Sequence, residues 1–349
     1  MHNCHDDLAA FHDEKVTLPG DERREMKERR DANRNRLRNG LDRDGHPRPS
    51  KLQSQGSYEH RTMVQHPSKD YDIDDGAYFA KDDLTGPRGG ELTPGQAKER
   101  VRDGLHDNQF STPPEVRTNC VRVYYQAGYH VDVPVYRIVE SVGVFGGKTT
   151  RYEIAGSAWR ESNPAAVTEW FNNANKELSP DDSNGRQLRR VVRLLKAFAR
   201  SRESWQPRIA SGFTITALVV ECYRARGGRD DEALYDMMVA IRDRLDWDLS
   251  VPHPVVEGEL LALSDDAKTK FLRDKLDWAV DQLDVLGRWS CDRESALKAW
   301  DKAFSTKFFA ARLKAGKDDA AKAAASSSPG WQPEPNTSRS VRKNGGRFA

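Results

Sequence analysis

The chain has 349 residues, a mass of 39.5 kDa, and 56 Lys and Arg against 54 Asp and Glu, for a formal charge of +2. That length builds one large domain or two ordinary ones without disulfide staples. The balanced charge excludes a strongly basic nucleic-acid coat or an acidic tail protein, no apolar run reaches the length of a membrane span, and the first residues lack the apolar stretch of a secretory signal.

Residues 1–20 are polar and end in Leu18-Pro19-Gly20, which predicts a loose leader. Asp21 then caps a charged surface helix running to about Leu41, with Met26, Leu37 and Leu41 as its few apolar positions. From Lys51 to about Gly156 the pattern is mostly strand and loop. Asn119–Gln126 and Tyr129–Val139 alternate apolar and polar residues around Ala127-Gly128, a hairpin signature. Tyr129, Val131, Val133 and Val135 share one face of the second strand, and His130, Asp132 and Tyr136 the other.

After Ser162-Asn163-Pro164, a cap followed by proline, the period becomes helical. Leu188, Val191, Val192, Leu195 and Phe198 fall at helical spacing, with Arg189, Arg190, Arg193 and Lys196 between them. Phe213–Tyr223 reads as a buried helix, and further helices are expected over Asp230–Leu245, Asp265–Leu286 and Arg293–Leu313. The tail is too polar to pack by itself. The expected divisions are a leader at 1–20, a mixed α/β unit with its brace helix at 21–160, an all-helical lobe at 161–325 and a disordered tail at 326–349. Cys4, Cys120, Cys222 and Cys291 lie far apart with no C-x-x-C pair, which predicts free thiols in a reducing cytoplasm.

The chemistry concentrates in Gln55-Gly56-Ser57-Tyr58-Glu59-His60-Arg61-Thr62 and in Asp70-Tyr71-Asp72-Ile73-Asp74-Asp75-Gly76. In a strand Asp72 and Asp74 point the same way while Tyr71 and Ile73 face the core. Side-by-side carboxylates repel unless a cation separates them, and Mg²⁺ takes hard oxygen ligands and bridges carboxylates to phosphates. Gly56-Ser57 offers close backbone approach, N–H donors and a hydroxyl to those phosphates. Asp132, flanked by Val131 and Val133, occupies an expensive place for an unpaired carboxylate. A third carboxylate beside the pair suits two metals about 3.5–4 Å apart.

The order G-S, then D-x-D, then an acid between two apolar residues on a later strand is the signature of polymerase-β-like nucleotidyltransferases. QGSYEHRT, DIDDGAYF, TNCVRVYYQ, HVDVPVY, SNPAAVTEWF and RLLKAF follow the order found in cGAS/DncV-like nucleotidyltransferases (CD-NTases), and the chain most resembles their bacterial DncV-like branch over roughly Lys51 to Phe309. The resemblance implies an α/β (α+β) fold: a nucleotidyltransferase mixed sheet with an N-terminal brace helix and a helical oligoadenylate-synthase-like second lobe. It implies a cytoplasmic enzyme that makes a cyclic oligonucleotide, with a cyclic GMP-AMP from ATP and GTP as the leading product, in bacterial anti-phage (CBASS) signalling through a separate effector protein. It assigns Asp72, Asp74 and Asp132 to two Mg²⁺ ions (or Mn²⁺), and Gln55, Gly56 and Ser57 to the nucleotide. Arg122 matches a nucleotide-contacting arginine, and Ser162, Lys196 and Ser211 match helical-lobe contacts to base or triphosphate, with Gly212 as the competing register for Ser211. The DncV-like branch has tyrosine where this chain has His60, so its base preference there does not carry over. His60, three residues after Ser57 with an imidazole that can stack and hydrogen-bond, is expected to influence which base is accepted. The final residues, ending Gly345-Gly346-Arg347-Phe348-Ala349, resemble tails whose carboxylate an E1/E2-like partner conjugates.

Other patterns read as ordinary structure. Gly147-Lys148-Thr149 imitates a P-loop, but Val142 stands where its first glycine belongs, so a hairpin turn is expected. His2, Cys4 and His5 have no downstream partner pair, so neither a zinc site nor the zinc module of animal relatives is expected. The stripe Arg186, Arg189, Arg190 and Arg193 reads as a solvated helix face, and Trp170, Trp278, Trp289 and Trp300 as core. Two other functions stand beside cyclisation: nucleotidyl transfer to RNA, a protein or a small molecule, and a catalytically inactive sensor or scaffold.

Overall fold

A computed structural model describes residues 1–69, 71–126, 128–142 and 147–327, with side chains to residue 318. The chain starts with α1 (His5–Phe11), a π-helical turn (His12–Val16) and α2 (Gly20–Arg43). The leader expected at 1–20 is therefore corrected. Cys4, Leu8 and Phe11 recur at i, i+4 and i+7, a helical stripe among polar residues, and all three are buried in the core of the second lobe. The Phe11 ring lies 4.7 Å from Phe304 and 5.1 Å from Phe309, while Arg293 and Arg312 hold the buried Asp7. The chain crosses to the first lobe at Thr17, which bridges to Val64.

Helix α2 begins behind Pro19 without a side-chain cap, so Asp21 is a first-turn acid and not the cap expected of it. It buries Met26, Leu37 and Leu41, and its Arg34 forks onto Asp75 at 2.7 and 2.5 Å. After β1 (Lys51–Gln55), the single turn α3 (Gly56–Glu59) and β2 (Tyr71–Ala80), the structure adds α4 (Pro94–Leu105), which the strand-and-loop reading omitted. Its signal was Thr93-Pro94-Gly95-Gln96, a capping box with proline at the first turn. A Cβ on Gly40 would fall on the Gly104 carbonyl, so α2 and α4 cross in backbone contact that only small residues permit.

An eight-stranded mixed sheet forms from β1, β2, β3 (Glu115–Val116), β4 (Val121–Tyr124), β5 (Tyr129–Val133), β6 (Val135–Val142), β7 (Lys148–Ala155) and β8 (Trp159–Glu161). β5 and β6, interrupted only at Pro134, run parallel to β2 in one unbroken register. β4 and β7 pair antiparallel to β5 and β6, so the expected hairpin around Gly128 is present and Lys148 opens the return strand β7. Tyr71, Ile73, Val131 and Val133 are buried on the face toward α2 and α4, as alternation requires.

The second lobe holds α5 (Pro164–Leu178), α6 (Gln187–Ala199), α7 (Gly212–Cys222) and α8 (Asp230–Trp247). β9 (Val251–Pro252) and β10 (Leu260–Ala262) then form a short hairpin, so this half is not all helical. α9 (Ala267–Leu283), α10 (Arg293–Phe304) and α11 (Phe308–Ser327) complete it. The single helix expected over Arg293–Leu313 breaks at Ser305, which is left-handed, and Asp301 caps the new start by accepting from the Phe309 and Ala310 N–H groups. Trp300 is buried, but Trp289, in the turn before α10, is 99% exposed and is no core residue. The tail and its Ala349 conjugation lie outside the described residues beyond Ser327.

The solvated-stripe reading of α6 is also corrected. This helix is central, with both its apolar and its basic side covered. Arg190 is buried and forks onto Asp230 and Asp181, and Arg193 donates to the Arg61 carbonyl at 2.8 Å. Removing one partner of a buried pair strands the other, at about 3–5 kcal/mol. Asp230→Ala should therefore lower stability by about that amount, read as a lower urea midpoint with unchanged slope.

Candidate active site

Strand register assembles the acidic centre. Asp74 lies directly beside Asp132 across the parallel β2–β5 pair, and Asp72 lies beside His130. On the far edge of β5, Arg122 of β4 is the cross-strand neighbour of Asp132. Its Nε and Nη2 donate to the two Asp132 oxygens at 2.7 and 2.8 Å, and Nη2 stands 3.1 Å from Asp72 Oδ1. His130 Nδ1 is 3.5 Å from the same Asp72 oxygen. Asp75 points to the opposite face toward Arg34 and takes no part, so the alternating pair within DIDD is Asp72 and Asp74.

Asp74 feels the crowding most. Burial, then the charges of Asp132 and Asp72, push its carboxyl up to about 7, against a smaller lowering by Arg122. Gly56 explains how the loop approaches so closely. Its φ is +65°, and a Cβ there would collide with Asp74 Oδ2. Gly56 begins the α3 turn, and Ser57 follows it into the lining of the cleft that Asp72 and Asp74 share.

The cleft between the lobes has a volume of about 400 Å³. Gln55, Gly56, Ser57, His60, Asp72 and Asp74 line it from the sheet side, and Ser162, Lys196 and Gly212 from the helical side. Asp132 and Arg122 are not among its lining residues and lie to the side of Asp72 and Asp74 on the neighbouring strands β5 and β4. Ser211 lines an adjoining pocket of about 280 Å³ with Asp72, Lys196 and Arg200. Its hydroxyl caps α7 by accepting from the Thr214 N–H at 3.0 Å, while Gly212 borders both pockets.

His60 is 5% exposed, stacked on Phe171 at 5.2 Å, with Nε2 3.3 Å from Thr168 Oγ1. Burial, then Lys196 and Arg189, lower its pKa to about 4, so the ring is neutral at pH 7. Lys196 donates to Thr62 Oγ1 at 2.9 Å, and burial, then Arg200 and Arg193, bring its ammonium down to about 7. Gln55 donates to the Tyr136 hydroxyl at 2.9 Å. Sequence reasoning missed Phe213 and His253, whose rings meet edge-on at 5.5 Å on the cleft wall. Phe213 was signalled by its neighbour Gly212, and His253 by nothing in its local pattern.

Among the described residues no three His, Cys, Asp or Glu side chains form a finished metal cage. The donor set nevertheless suits a hard divalent cation. Its oxygens are all carboxylate, and Asp74 is held at a raised pKa by like charges that a cation would offset.

The fold and its first lobe have counterparts among known proteins. Residues 50–136 match the nucleotidyltransferase domain described as cyclic GMP-AMP synthase DncV-like. A cyclic GMP-AMP synthase of Escherichia albertii is 27% identical over 236 residues, which are 64% of this chain and 48% of the relative. The match thus spans about half the length of that curated relative. The Vibrio cholerae DncV cyclic AMP-GMP synthase superposes with a TM-score of 0.67 at 16% identity, covering 88% of this chain and 97% of that one. The E. coli MS115-1 CdnC structure with ATP gives a TM-score of 0.62 at 18% identity, covering 87% and 98%. Residues 50–136 thus resemble the nucleotidyltransferase domain of the cGAS/DncV-like family, and the chain as a whole shares the fold of DncV and CdnC.

Proposed function

We propose that the chain condenses nucleoside triphosphates into a cyclic oligonucleotide, with a cyclic GMP-AMP made from ATP and GTP as the leading product. The observation that carries this reading is the unbroken β2–β5 register, which sets Asp132 beside Asp74 while Gly56 packs against Asp74 and Ser57 lines the same cleft. Asp72, Asp74 and Asp132 would hold Mg²⁺, which when bound neutralises phosphate charge and makes a hydroxyl more acidic. The Gly56-Ser57 turn supplies N–H and hydroxyl donors to phosphate, and Lys196, poised near neutrality, adds a cation from the opposite wall. The product would act as a second messenger on a separate effector protein in cytoplasmic anti-phage signalling. Among the described residues no helix is long and apolar enough to cross a membrane.

The test is incubation of the full chain with four labelled nucleoside triphosphates and Mg²⁺, followed by mass spectrometry of phosphatase-resistant products. A cyclic species supports the reading. Transfer only to RNA, protein or a small molecule overturns it in favour of another nucleotidyl transfer, and no turnover at all favours a sensor.

His60 bears on the base. A neutral imidazole stacked under the cleft offers one donor and one acceptor, whereas tyrosine is longer and would have to displace Phe171 or enter the cleft. His60→Tyr should therefore shift the ratio of bases incorporated by about three-fold or more while total turnover changes less, a difference of order 1 kcal/mol in pocket contacts. Product ratios from equimolar mixtures check it.

A further inference from the structure

Three carboxylates converge in a partly buried patch, and a guanidinium of the protein lies against two of them, Asp132 and Asp72. Arg122 uses two N–H groups on both Asp132 oxygens, at 2.7 and 2.8 Å, and the same Nη2 lies 3.1 Å from Asp72. The pair is well shielded, with side-chain exposures of 21% for Arg122 and 10% for Asp132. A bidentate fork of this kind takes one acceptor site on each carboxylate oxygen, the two that face the guanidinium. A metal ion drawn to Asp132 therefore has to share both oxygens with a guanidinium held 2.7 and 2.8 Å away or take its place. A full positive charge this close to the acids also opposes any further cation.

We propose that Arg122 is a built-in counter-ion of the acidic centre, which competes with a divalent cation for Asp132 and is displaced when that cation binds. The inference rests on the metal-dependent reading of the site given above. A guanidinium fork fits phosphate as well as carboxylate, so a triphosphate in the cleft offers the displaced side chain a second partner. Cation and nucleotide then assist each other's binding: the nucleotide draws Arg122 off Asp132, and by linkage the cation strengthens nucleotide binding by the same factor. In this scheme Arg122 is a positioning residue whose effect is on metal uptake.

Mn²⁺ alone, titrated calorimetrically into the chelator-treated full chain, reads this directly. Arg122→Gln should bind Mn²⁺ at least ten-fold more tightly than the parent, and a non-hydrolysable ATP analogue should improve Mn²⁺ affinity more in the parent than in the variant. Equal or weaker Mn²⁺ binding by a folded Arg122→Gln overturns the proposal, and so does an ATP analogue that improves Mn²⁺ affinity equally in both proteins. Should the variant not fold, the parent decides the matter. The Arg122 Nε–H, followed by nitrogen-15 NMR, should be protected from exchange before Mg²⁺ addition and lose that protection at saturation, and protection that persists overturns the proposal. Failure of cyclisation is a separate outcome: tighter Mn²⁺ binding without a cyclic product removes the proposed reaction and keeps the competition, and the converse keeps only the reaction.

Discussion

Asp72→Asn combined with Asp74→Asn should abolish nucleotide turnover, by more than about a thousand-fold given the 10²–10³ that one preorganised electrostatic group contributes, while the chelator-treated protein becomes more stable. The two effects have one cause. Asp74 sits between Asp132 across the strand pair and Asp72 two residues away, and its carboxyl is pushed up from 3.8 to about 7. Between those values the folded chain binds a proton that the unfolded chain has released. Stability drawn from this group therefore falls as pH rises from about 4 to about 7. Asparagine keeps the shape and removes the charge, so the melting temperature should rise at pH 7 and above. The gain should fade as the pH approaches 4, where the parent carboxyl is already protonated. Thermal melts of both proteins across that range, with EDTA, check the stability limb, and product analysis with Mg²⁺ checks the catalytic one. A double variant that is folded and still turns nucleotide over removes the acids from the reaction.

The acidic centre was legible because strand periodicity is two. Asp72 and Asp74 had to share a face, and the apolar flanks of Asp132 set it on a second strand. Their mutual approach depends on the β2–β5 register, which is set by the whole sheet and by no local pattern. The Arg122–Asp132 fork lay closer to reach. Both residues belong to one hairpin around Gly128, and pairing its strands outward brings them opposite each other. The misread regions failed for a different reason: average polarity hid a narrow apolar stripe. Cys4, Leu8 and Phe11 are three apolar faces in a charged segment, and their partners Phe304 and Phe309 lie about 300 residues downstream. The arginines of α6 look like a solvent face until α8 supplies Asp230 and the N-terminal segment covers Arg193. Propensity speaks for isolated helices, and α6 is held by what surrounds it.

Gly56→Ala should cost about a hundred-fold in turnover with little change in the amount of folded protein. Two effects act at this residue and can be separated. Its φ of +65° is uncongenial to any Cβ, a strain of roughly 1–2 kcal/mol that lowers stability wherever it occurs. Its Cβ would also collide with Asp74 Oδ2, so either the carboxylate or the Gln55–Ser57 turn must give way. Displacing a reacting geometry by about 1 Å is enough for a hundred-fold loss. Gly45 isolates the first effect: its φ is +68° and an added Cβ there meets nothing within 4 Å. Gly45→Ala should lower the melting temperature about as much as Gly56→Ala while turnover stays at the parent level. If both variants lost turnover equally, backbone strain at a distance would account for the loss and the contact with Asp74 would explain nothing. If Gly56→Ala kept full turnover, the Gly56-Ser57 turn would have to hold phosphate from a position further from the acids than the structure gives it.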